Sequence, residues 1–121
     1  MKVIIDLIED IRESIGNAED FELRAGLLKE DKDHLSKLIY AGEAPLNAFV
    51  LDASKKQLIF KIDSSSTKIY VGELLSHLLA LSMDAMIYEL KMAVNVQYTD
   101  VEIIGFGKNE EERSYILFIK L

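Results

Sequence analysis

The chain contains no cysteine, a single proline and six glycines among 121 residues. Without cysteine, disulfides, thiol nucleophiles and cysteine-ligated zinc or iron–sulfur centres are excluded. With Pro45 alone and few glycines, no flexible linker or low-complexity tract is visible. Long hydrophobic runs are missing too. His77, Asp84 and Glu89 interrupt the longest one, well short of the roughly 20 apolar residues that a spanning helix needs. Near the start, Asp6, Glu9 and Asp10 break the apolar run as the core of a secretory signal cannot tolerate. A cytoplasmic protein is the resulting expectation. Basic clusters are also lacking and the formal net charge is −7. Nucleic-acid and anionic-membrane binders need grouped lysine and arginine, so neither partner is expected.

What remains has the balance of an ordinary globular protein: 50% hydrophobic and 29% charged residues. The length suits one domain spanning residues 1–121. Ile4, Ile8, Ile11 and Ile15 recur at the helical interval with Leu7 beside them, and predict an amphipathic first helix. Its polar face carries Asp6, Glu9, Asp10 and Glu13, and Gly16-Asn17 offers a stop. Phe21, Leu23, Ala25 and Leu27 then alternate with polar residues, as in a strand with one covered face. His34 to Tyr40 is read either as a returning strand or as a short helical turn. Asn47–Asp52 and Gln57–Ile62 form the arms of a hairpin, and Ser64–Thr67 a polar loop. A long helix is expected over Val71–Asn95, followed by a hairpin of Val101–Gly105 and Ser114–Leu121. No internal repeat is visible. The expected fold is α+β: an antiparallel sheet of about five to six strands, covered by a short N-terminal helix and a long central one.

At about 100° per residue the long helix would carry two apolar stripes. Leu74, Leu78, Leu81, Ala85 and Met92 form one, and Leu75, Leu79, Met83, Met86 and Leu90 the other. A helix covering one sheet face needs a single stripe, so the second implies a further cover, by the first helix and loops or by another subunit. Because the first helix is too short to shield all of it, a homodimer interface is expected there.

The segments Asn47–Lys61, Glu73–Ala93, VEIIGFG and SYILFIKL together resemble the Roadblock family, relatives of a dynein light chain. The resemblance covers the C-terminal half. It implies a sheet whose long helix packs on a twin in a dimer, and a platform or regulator for small Ras-like GTPases. The extra segment Phe21–Tyr40 and the end at Leu121 depart from the family's pattern.

Candidate chemistry is sparse. His77 lies one turn after Glu73 and two before Asp84, but the other histidine, His34, is distant, so no zinc set forms. Asp31-Lys32-Asp33 lacks the spacing of a calcium loop, and Gly105-Phe106-Gly107 has no following helix N-terminus to cradle phosphate. Ser76, Ser82 and Ser114 have no recognisable base partner. No catalytic residue, metal or cofactor is therefore expected. The leading function is a non-enzymatic homodimeric scaffold or regulatory module that binds a protein. The alternative is an acidic inhibitor of immunity type, neutralising a basic toxin or nuclease through Asp6, Glu9, Asp10 and Glu13.

Overall fold

The computed structural model describes residues 1–16, 19–34, 37–62 and 67–121. Helix α1 (Ile4–Ser14) opens the chain and buries Ile4, Leu7, Ile8 and Ile11, the predicted apolar face. The Val3 amide donates to the Asp6 carboxylate at 2.9 Å, which closes the first turn. Gly16, at φ +59°, continues from the last turn in the left-handed conformation that glycine accepts freely. Asn17, the other half of the predicted stop, lies outside the described residues, as does most of the predicted 64–67 loop.

Strands β1 (Glu22–Glu30), β2 (Leu38–Asp52) and β3 (Gln57–Ile62) form an antiparallel meander. Tyr40 and its neighbours from Leu38 onward belong to β2, which settles that part of the 34–40 segment as strand. Helix α2 (Val71–Leu79) and a 3-10 turn (Met83–Ile87) lead into β4 (Glu89–Ala93), β5 (Val101–Asn109) and β6 (Ser114–Lys120).

The expected open sheet under a long central helix is not what forms. The six strands close into a barrel in the order β1-β2-β3-β4-β5-β6. Two of its seams are parallel, β3 with β4 and β6 with β1. The segment expected as one helix over Val71–Asn95 ends at Leu79, turns, and continues as strand from Glu89. No proline or glycine marks that break; tertiary pairing decides it. Gln57 to Lys61 of β3 lie in register with Glu89 to Ala93, and the Glu89 amide donates to the Lys56 carbonyl at 3.0 Å. In extended form Leu90 and Met92 both point into the core, whereas a helix would have divided them between its two stripes. The supposed second stripe is thereby dispersed. Leu90 is buried in the barrel, Leu75 and Met86 pack against the core, and Leu79 and Met83 are exposed.

An internal repeat underlies the barrel, contrary to the sequence reading. Each half runs helix, strand, strand, strand, and the two are joined by reciprocal backbone contacts. Val3 bridges Glu89 as Tyr70 bridges Glu22. The Ile4 amide donates to the Tyr88 carbonyl at 3.0 Å, as Val71 does to Phe21 at 2.8 Å. Leu90 donates to Lys2 at 2.9 Å, as Leu23 does to Ile69 at 2.8 Å. The parallel seams start at matching points, Gln57 opposite Glu89 and Ser114 opposite Glu22. Even the turns agree: Lys56 and Arg113, the residues before β3 and β6, take left-handed φ values of +54° and +51°. Ladder slips at Leu46/Ala48 and Ile103/Gly105 stand in the same place in β2 and β5. These bulges let each long strand bend from one neighbour to the next. One hydrophobic core fills the interior, drawing on both helices and all six strands.

Candidate functional site

The repeat provides an internal control. A position that the fold requires to be apolar should be apolar in both halves, whereas a divergent position is free to serve function. The first strands agree: Phe21-Glu22-Leu23-Arg24 matches Tyr88-Glu89-Leu90-Lys91. Arg24 pairs with Glu22 at 3.3 Å and Lys91 with Glu89 at 3.1 Å. Buried Ile4, Leu7 and Ile11 of α1 match Val71, Leu74 and Leu78 of α2. This is the shared structural set.

The outer surface of the helical layer diverges sharply. In the first half, the residues predicted as a partner-facing acidic face, Asp6, Glu9, Asp10 and Glu13, line a shallow groove of about 190 Å³ with Lys2 and Phe106. Two of these carboxylates are engaged within the molecule. Asp6 closes its own helix turn, and Asp10 accepts the Tyr115 hydroxyl. Glu9 and Glu13 remain exposed. Lys2 sits 5.6 Å from the Phe106 ring centroid, and Phe106 stacks on Tyr115 at 6.3 Å. Burial first, and then the Asp10 carboxylate, push the Tyr115 hydroxyl well above the ordinary phenol range.

In the second half the matching helix positions are Glu73, Ser76, His77 and Ala80. Here the groove is larger, about 310 Å³, and apolar: Phe49, Val50, Leu51, Leu58, Leu78 and Leu81 surround His77. Phe49, the counterpart of Phe106, meets His77 edge-on at 5.2 Å. His77 Nδ1 lies 2.9 Å from the Glu73 carbonyl, an acceptor, so in the neutral ring Nδ1 carries the proton and Nε2 is the acceptor. The His77–Asp84 pairing considered from sequence does not form. Asp84 lies on the 3-10 turn and lines a separate depression with Lys56, Met83, Ile87 and Tyr88.

Met83 and Ile87 of that depression are exposed apolar side chains, as is Leu79 at the end of α2. Met83 is 86% exposed, Ile87 70% and Leu79 53%. Their counterparts in the first half are Gly16, Asp20 and Arg12, none of them apolar side chains. At one matched pair of sites the contrast is chemical as well as steric. Asp20 and Arg113 form a 2.5 Å ion pair, and the hydrogen bond from Arg113 holds the Asp20 carboxyl below its usual range. Ile87 and Lys56 occupy those two sites in the second half. The fold therefore tolerates a charged residue where Leu79 and Ile87 stand and a glycine where Met83 stands.

Among the described residues no group of three or more His, Asp or Glu side chains is placed to hold a metal ion. No helix among them is long and apolar enough to cross a membrane. Compared with known proteins, the chain matches no family model, no curated protein and no solved structure.

Proposed function

We propose that the protein is a non-enzymatic interaction module that self-associates through the band formed by Leu79, Met83 and Ile87. One observation carries this: three large apolar side chains stand in solvent at positions whose counterparts in the other half are polar or glycine. Exposed apolar surface of this kind is ordinarily covered by a partner. A second copy fits because the band is self-complementary in charge. Lys56 and Asp84 flank the same depression as Met83 and Ile87. A two-fold axis passing between these two residues would set the lysine of each copy against the aspartate of the other. Such an interface retains Leu79 and Met83 from the stripe read in the sequence. Leu90, Leu75 and Met86 do not belong to it, because they pack inward.

The partner inferred from the Roadblock resemblance, a small Ras-like GTPase, is not carried into this reading. The acidic-inhibitor reading ranks second, with two of its four carboxylates already engaged inside the molecule.

Light scattering on a sizing column is the test. The wild type is expected at twice the chain mass of 13.7 kDa. Met83→Glu should run as a folded monomer with an unchanged circular dichroism spectrum. A wild-type monomer at every concentration, or a Met83→Glu dimer, overturns the reading.

A further inference from the structure

We propose that the groove between α2 and the β2–β3 hairpin binds a small phenol, its ring resting on Leu58 and its hydroxyl held at the helix as the Tyr115 hydroxyl is held in the other half. The two halves differ at one decisive position. In the first, Tyr115 fills the space under the helix, stacks on Phe106 with ring planes 28° apart, and donates its hydroxyl to Asp10. In the second, Leu58 occupies the site of Tyr115, Phe49 that of Phe106 and His77 that of Asp10. Leucine is shorter than tyrosine and has no hydroxyl, so the groove stays open and His77 has no internal phenol to accept.

The chemistry left behind matches that missing group. His77 Nδ1 is committed to the Glu73 carbonyl, which leaves Nε2 to accept a proton donor. Phe49, Leu58 and Leu81 supply apolar contact for a ring. An aromatic ring resting on these side chains, with its hydroxyl directed at Nε2, repeats the interaction that the protein makes with itself on the opposite side. The cavity of about 310 Å³ lies within the range of small-ligand sites. The groove does not include Leu79, Met83 or Ile87, and the inference does not depend on dimerisation.

The probes are 4-methylphenol, which reproduces the tyrosine side chain, and toluene, which lacks the hydroxyl. Amide chemical shifts of isotope-labelled protein are followed as each is titrated. With 4-methylphenol, saturable changes are expected at Val50, Leu58, His77 and Leu81, and weaker binding with toluene. His77→Ala, at an exposed position, should weaken 4-methylphenol by about fivefold to tenfold, the effect of one hydrogen bond, and leave toluene unchanged. His77→Asp should restore the phenol, since aspartate is the acceptor in the other half. Leu58→Tyr should fill the groove and abolish binding of both probes. If that variant does not fold, the histidine pair still decides. Absence of saturable shifts in the groove, or equal affinity for the two probes with no effect of His77→Ala, overturns the proposal.

Discussion

Tyr115 couples the first helix to the barrel through a single buried hydroxyl. Its ring is fully buried and its hydroxyl is donated to Asp10, so Tyr115→Phe should lose about 1 kcal/mol of unfolding free energy in urea melts. The same residue sets an alkaline limit. Tyr115 is harder to ionise in the folded chain than in the unfolded one. Tyr40 is also pushed up, to about 12, by partial burial and then by Glu43, but its side chain is half exposed and solvent screening leaves it little weight in stability. Groups whose folded pKa is raised contribute fully below the unfolded value, about 10 for tyrosine, and lose that contribution as pH rises. Urea midpoints should therefore be flat up to about pH 10 and fall above it, with Tyr115→Phe reducing the slope. A slope unaltered by that substitution would count against the assignment. Gly26 is a second sensitive residue. A Cβ there would come within 2.5 Å of the Phe118 ring and 2.7 Å of Ile116. Gly26→Ala should cost about 1–3 kcal/mol, the usual penalty of overpacking.

The segment from Val71 to Asn95 shows how elements are decided. Its apolar residues suit a helix, yet only the part to Leu79 is α-helical. Beyond it, Glu89 to Ala93 alternate with period two, and hydrogen bonding to β3 selects the extended form. That alternation was present in the sequence but too short to outweigh a helical reading of the preceding residues. The structural consequence is measurable at two residues once assigned to one stripe. Leu90→Ala removes a fully buried side chain and should cost about 2–5 kcal/mol, while Met83→Ala should change monomer stability little. Equal effects in chemical denaturation would contradict the strand assignment of Glu89–Ala93.

For the whole molecule, the two halves are bound by reciprocal contacts rather than by the chain that joins them. Both parallel seams run between halves, while the antiparallel ladders lie within them. Fragments 1–62 and 67–121 should therefore co-purify as an equimolar complex when expressed together and be insoluble apart. Recovery of either as a folded monomer would show that a half can close its own core. Self-association has a test of its own at this scale. Lys56→Glu and Asp84→Lys should each fail to dimerise alone, through two like-charge contacts, and should form a mixed dimer when combined. A two-fold interface that brings Lys56 to Asp84 requires that outcome.

The sequence by itself determined the first helix, the Asn47–Ile62 hairpin and most of the C-terminal hairpin. Local periodicity was enough there, because each of those elements buries the face that its own spacing defines. It also held the signature of the repeat in Phe21-Glu22-Leu23-Arg24 and Tyr88-Glu89-Leu90-Lys91, masked because the second copy follows a helical run without a break. Closure of the barrel, the end of the central helix and the open groove beside His77 were decided only by tertiary structure. Each depends on a partner distant in the chain: β3 for β4, β1 for β6, and Leu58 standing where the other half has Tyr115.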